Sequence, residues 1–396
     1  MVEPSIAADG QTLVSVFQIG RTRTSGASAI GWGMSTDGGR SWEQGLLPHV
    51  TVNEPERGPS VRVSDPVVAR DRANRQWIAT YLALRPQTNG FRVDVASSHS
   101  GDGVSWSDPT VITKGFEYSA DKDWVTCGNK ACYAVWTLPG YPKSHMASAT
   151  TTDGGKTWSA VHVLQQEGFG AQPVVRPDGT VTLVTLGEKR IEARTSTDGL
   201  RTLSPATELG PLRAEVVERL GAKIRSDVLP TAVVARDGKE YAAWRRCSDD
   251  RCSRNDIVIA TSADGKAWSA PRLVDVGAAL GKVDLFLPAL AVGGSSDQVA
   301  LTFLSVRPHR CKNLHCIVHA YGVRSADGGR TWGTVQPLSQ EMRMSDFPTG
   351  TGGYSFLGDY MAVAFTSDGR AVATYPVAEP HAGLLRQGIA VASIAR

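Results

Sequence analysis

The chain has 396 residues and a formal net charge of +3, with 42 Lys and Arg against 39 Asp and Glu. It contains no run of five basic residues and no stretch near the roughly 18 to 20 apolar residues of a membrane span, so neither a nucleic acid nor a spanned bilayer is an expected partner. With 41 Gly, 10 Trp and 20% charged residues, the composition is that of a turn-rich β protein able to bury a large core.

Read from the N-terminus, three strand-like runs precede a short motif, and this unit recurs along the chain. The first motif is Ser35-Thr36-Asp37-Gly38-Gly39-Arg40-Ser41-Trp42, and further copies centre on Asp102, Asp153, Asp198, Asp264 and Asp327. Four of these copies end in Trp106, Trp158, Trp268 and Trp332, while the copy at Asp198 ends in Leu203. The motif reads as a hairpin turn with a plug. Asp accepts backbone N–H bonds, Gly supplies positive φ, and Trp packs under the next strand. The copies at Trp106 and Trp268 are one residue shorter between Asp and Trp, which predicts looser or differently shaped turns.

Inner strands are predicted to start near Glu3, Asp65, Asp123, Gln172, Thr231, Pro288 and Asp359, one more start than there are motifs. The last repeat supplies three strand-like runs, the third being Gly388–Ala392, and no fourth. Four-stranded antiparallel sheets repeated in this way predict an all-β, seven-bladed β-propeller, with a six-bladed arrangement as the alternative, forming one domain over residues 1–396. A monomer is expected.

The six cysteines form three C-x4-C pairs, Cys127 with Cys132, Cys247 with Cys252 and Cys311 with Cys316. Each spacing suits a disulfide across a short hairpin loop, whereas zinc pairs would have to converge on one ion from different repeats. Three disulfides imply an oxidising compartment, hence a secreted or periplasmic protein whose leader is absent from this sequence.

In a propeller the A-to-B and C-to-D turns share one face, so the motifs mark that face as structural and leave the other for chemistry. There the inner-strand starts carry Glu3, Asp65, Asp121, Asp123, Asp227, Asp284 and Asp359, which should converge on the channel mouth. Carboxylates so gathered either bond their own strand starts, raise one another's pKa, or recruit calcium or another divalent cation; Glu3, Asp123, Asp284 and Asp359 are the candidate ligands. The same rim collects Arg21, Arg23, Arg85, Arg245, Arg246, Arg307 and Arg310 after B strands, and Arg62, Arg225 and Arg343 before A strands. Guanidinium forks suit the carboxylate of an acidic sugar, and equally a rim network of ion pairs.

The S-x-D-G-G-x-x-W repeat resembles the Asp-box, or BNR repeat, of bacterial sialidases and their relatives, and the resemblance covers nearly the whole chain. It implies a glycoside hydrolase that needs no cofactor and acts on a sialic or uronic acid-containing glycan. In Gly352-Gly353-Tyr354-Ser355-Phe356-Leu357, Tyr354-Ser355 resembles the segment of the sialidase nucleophile. Tyr354 would then attack, assisted by Asp227, with Asp65 as acid/base and Arg62, Arg245, Arg307 and Arg343 as substrate-binding candidates. Where the family opens its first blade with an arginine, Glu3-Pro4-Ser5-Ile6 stands here. Two other readings remain open at this level. One is a non-catalytic glycan- or metal-binding propeller; the other is a uronate lyase drawing on His309, His315, His319 or His381.

Overall fold

The computed structural model describes the chain apart from residues 23–24, 89, 142, 213–223, 308–315, 348–353 and 382–383. Among the described residues the structure is all-β apart from a four-residue α-helix, Gly277–Leu280, and a three-residue 3-10 helix, Met344–Asp346. The first unit is an antiparallel sheet of strands Val2–Asp9, Thr12–Arg21, Ala27–Ser35 and Glu43–Leu46, laid side by side in chain order. The pattern repeats in units whose innermost strands are Arg62–Asp71, Asp121–Cys127, Phe169–Val175, Thr231–Val234, Asp284–Val292 and Ala362–Phe365. Each innermost strand packs on the next in chain order, and the last packs on the first, which closes a ring around a channel. The final unit has three strands among the described residues. Its inner strand begins at Ala362, a few residues beyond the predicted start.

Strands such as Asp284–Val292 and Val299–Val306 are buried in continuous runs rather than at alternate positions, so these sheets are covered on both faces and the core lies between units. Val14, Trp32, Trp77 and Tyr81 join the first two units, and Ile6, Leu13, Ala364 and Val372 join the first to the last. Among the described residues no outer strand crosses that closing seam. Instead the Ser367 N–H donates to the Gly10 carbonyl at 2.9 Å, and Gln11 Nε2 donates to Ser367 Oγ at 3.1 Å.

The Asp-containing turns are built as the residue types demand. Asp37 Oδ1 accepts from the Arg40 and Ser41 N–H groups at 2.9 and 3.0 Å. Ser35 Oγ accepts from Gly39 N–H at 2.8 Å, and Trp42 Nε1 donates to the Gly39 carbonyl at 3.1 Å. In the shorter copy, Ser100 Oγ takes its N–H from Gly103 at 2.8 Å and Asp102 Oδ1 accepts from Val104 and Ser105 at 2.8 and 2.7 Å. That turn is reshaped and as fully bonded as the longer one. At Asp198 the position of the second glycine is taken by Leu200, with φ of 67°.

Two disulfides match the predicted pairs, Cys127–Cys132 and Cys247–Cys252. Cys316 is also disulfide-bonded, and its expected partner Cys311 lies outside the described residues, as do His309 and His315.

Candidate functional site

Several inner strands carry a bulge near their start. The pairing register slips between Val2 and Ser5, Ser64 and Val67, Phe169 and Gln172, and Phe286 and Ala289. One residue in each bulge is left-handed: Glu3 (φ 54°), Asp65 (φ 50°), Gly170 (φ 61°) and Leu287 (φ 50°), with Lys122 (φ 52°) at the start of the third inner strand. A bulge re-aims a side chain, and non-glycine residues in this region are rare enough to mark a built feature. Here Glu3, Asp65 and Lys122 are brought together at the channel mouth, on the face opposite the Asp-containing turns.

Two long connections complete the mouth. Ile224–Arg225, from the segment before the fifth unit, pairs in parallel with Ser355–Phe356, from the segment before the last. The Arg225 guanidinium lies 5.0 Å from the centre of the Phe356 ring, and that of Arg21 lies 4.0 Å from it. The resulting cavity, about 350 Å³, is lined by Glu3, Arg21, Asp65, Asp121, Lys122, Arg225, Phe356 and Asp359 among others. Its volume suits a sugar residue.

Lys122 is the hub of the ion pairs. Its ammonium contacts Asp65 Oδ2 at 3.3 Å and also pairs with Asp359 Oδ2. Arg225 Nη2 reaches the same Asp359 oxygen at 2.9 Å and Asp227 Oδ2 at 3.8 Å. Glu3 accepts from Gln18 Nε2 and, at 3.1 Å, from the Asp359 N–H, which ties the first unit to the last. Ser64 Oγ donates to Asp65 Oδ1 at 2.5 Å. Burial opposes charge on Lys122, but Asp359, Asp65 and Glu3 together hold its pKa well above the usual value.

The carboxylates are driven apart in acidity. Burial pushes Glu3 well up, with Asp65 and Asp359 adding to the effect. Asp121 is raised to about 6, chiefly by burial and then by Asp65 and Asp359, against the pull of Lys122. Asp65 goes the other way: burial works against its ionisation, yet Lys122, the Ser64 hydroxyl and Arg225 hold it below the ordinary range. Asp123 is 1% exposed, and burial raises its pKa well above normal against the opposing effect of the Thr80 hydroxyl.

Of the residues singled out from sequence, Glu3, Asp65 and Asp359 meet at the pocket, and Asp227 lies at its edge through Arg225. Asp284 is in the sixth unit, accepting from the Asn255 N–H at 2.7 Å. Arg245, 2% exposed, donates to Ser226 Oγ and to the Ser226 carbonyl at 3.0 and 2.9 Å, thereby bracing the segment that carries Arg225 and Asp227. Burial lowers its pKa to about 10. Arg307 and Arg343 are exposed. Arg62 donates to the Ser25 carbonyl at 3.3 Å and lies 5.5 Å from the Phe91 ring centre. Tyr354 is half-buried, one residue before the strand that presents Phe356. His319 pairs with Glu341 at 3.8 Å, away from the pocket.

The four proposed cation ligands do not form one donor set. Asp284 is elsewhere, an ammonium stands among the carboxylates, and the described residues contain no group of three His, Cys, Asp or Glu able to hold a metal ion. Lys122 is the central residue that sequence reasoning passed over. The signal was there in Asp121-Lys122-Asp123, a lysine standing where the first two repeats put Glu3 and Asp65.

No protein-family model matches the chain, and no curated protein sequence does. Its fold is similar to that of the Hadza microbial sialidase Hz136, with a TM-score of 0.53 and 18% identity. That match covers 76% of this chain and 62% of the sialidase, so the chain spans less than two thirds of that protein's length. A protein of unknown function from Dyadobacter fermentans gives a TM-score of 0.50 at 16% identity, covering 78% of this chain and 91% of the other. At these identities the likeness establishes the propeller fold.

Proposed function

We propose that the chain is an exported, seven-bladed glycoside hydrolase of the sialidase-like type, one domain acting on a glycan that carries a sialic or uronic acid. The observation that carries this reading is the sugar-sized pocket lined by both Asp121 and Asp65, whose pKa values are pushed in opposite directions. Such a divergence is what glycosidic cleavage needs, one carboxylic acid to protonate the leaving oxygen and one carboxylate to face the developing positive charge. Asp121 takes the first role and Asp65 the second. Arg21 and Arg225, stacked on Phe356, supply cationic charge for the acidic sugar. Tyr354, with Asp227 close to Arg225, is the covalent alternative to Asp65. The disulfides support export.

The test is release of a fluorogenic sialoside and of a fluorogenic glucuronide by the purified protein. Asp121→Asn should lower kcat about 100-fold, the lower end for loss of a general acid. Because Asp121 must be protonated to act, wild-type turnover should fall as pH rises through about 6, and the variant should lose that limb. Loss of release in Tyr354→Phe, with Asp121→Asn still active, would assign the chemistry to the tyrosine instead. Release of neither sugar by the wild type would overturn the reading. The ion pairs that already engage Lys122 favour a second reading, a binding propeller, which predicts saturable binding of the same sugars without turnover.

A further inference from the structure

The second unit projects a long hairpin, Gln76–Gln87 paired with Gly90–Ser100, whose two faces differ. Leu82, Leu84 and Val93 line the pocket on one face. On the other, Arg85, Arg92 and Asp94 line a separate concave groove of about 640 Å³, together with Lys114 from the following segment. Arg85 and Arg92 stand directly opposite each other across the two strands. Like charges in that position are destabilising unless something between them is negative. Among the described residues one carboxylate serves them: Asp94 lies 3.4 Å from Arg85 Nε and 2.8 Å from Arg92 Nε. Asp94 is also engaged by the Thr113 hydroxyl at 2.8 Å. Arg85 Nε is buried and makes no hydrogen bond. Three cations therefore face the groove against a single, already shared anion.

We infer that this groove is a second binding site, for the carboxylate or sulfate groups of an extended anionic glycan, on the far side of the wall that bounds the pocket. Guanidinium pairs present forked donors to such groups, and Pro86, Pro109 and Val111 give the groove apolar surface for a sugar ring. The two sites lie on opposite faces of this hairpin. The inference goes beyond the hydrolytic reading and does not depend on turnover.

The experiment is retention on immobilised heparin and on immobilised polygalacturonate in about 0.15 M salt, where long-range attraction between exposed charges is largely screened. Arg85→Gln with Arg92→Gln should weaken binding at least about 10-fold, as expected when charge-assisted hydrogen bonds are lost. Lys156→Gln, on the opposite face, should bind as wild type does. Arg85→Lys with Arg92→Lys preserves charge and should keep part of the affinity, which separates ligand loss from misfolding. Asp121→Asn should be retained like wild type, so failure of the hydrolytic reading and failure of this one are distinguishable. Unchanged binding by the double glutamine variant, no retention of the wild type on either glycan, or equal retention on single-stranded DNA would each overturn the assignment.

Discussion

Replacing Lys122 by Met should cost about 3–5 kcal/mol of stability at pH 7, the range for breaking a buried ion pair by removing one partner. The lysine is 6% exposed, and Asp65 and Asp359, which it contacts, are 4% and 2% exposed. Without the ammonium these carboxylates are left charged in a dry site, and Arg225 reaches only Asp359. The pH dependence fixes the cause. Asp65 has a depressed pKa in the folded state, so its stabilisation is present above the unfolded carboxylate value of about 4 and is lost as pH falls. In the Met variant that contribution is missing, and the gap between variant and wild type should close on acidification. Urea unfolding at pH 7 and pH 3.5 checks this. A loss below about 1 kcal/mol, or one that pH leaves unchanged, would show that the hub is not electrostatic.

The second large effect concerns the turn plugs. Trp106 is 9% exposed and donates to the Gly103 carbonyl at 3.2 Å, so Trp106→Ala should cost about 3–5 kcal/mol as a core aromatic truncation. Where the plug is Leu203, only partly buried, truncation to Ala should cost about 1 kcal/mol. The difference is made up three residues earlier in the turn, at Leu200. A Cβ built on the equivalent Gly39 points at Leu13, Val372 and Trp42, that is, into the junction between units. Leu200 uses this direction and sits 1% exposed among Tyr133, Val135 and Leu183. Leu200→Ala should therefore cost about 2–3 kcal/mol, more than Leu203→Ala, despite the unfavourable φ at this residue. Thermal or urea unfolding of the three variants ranks them; equal, small losses would remove the plug account.

These two predictions also mark how far the sequence could be read. The Asp-containing turns were legible because their chemistry is local: Ser35, Asp37, Gly39 and Trp42 satisfy one another within eight residues. The convergence of acids at the inner-strand starts was legible as a trend from the repeat. Which acids meet was not, because the bulges that aim Glu3, Asp65 and Lys122 depend on pairing with the next strand and leave no composition signal of their own. In the sixth repeat the bulge position that aims Glu3 and Asp65 is held by Leu287, and Asp284, three residues earlier, accepts from Asn255 instead. Arg245 lies within the strand Glu240–Cys247 and is buried against Ser226, to which it donates, a contact between segments with no local signature. Arg225 reached the pocket through a parallel pairing between segments about 130 residues apart, which no local pattern announces.

The seam between the first and last units has a consequence for how the ring comes apart. It joins residues separated by 356 positions, Gln11 to Ser367 and Glu3 to Asp359, and it does so by a few hydrogen bonds and apolar contacts, without a shared sheet. Contacts of such sequence separation carry the highest loop-closure cost, so they form last, and partial opening of a native protein tends to begin where cooperative units meet with fewest bonds. Amide exchange should therefore be fastest, among the inner strands, along Val2–Asp9 and Ala362–Phe365. Because Glu3 and Asp359 are members of both seam and pocket, occupation of the pocket would act as a clasp on the ring, coupling ligand affinity to resistance against opening.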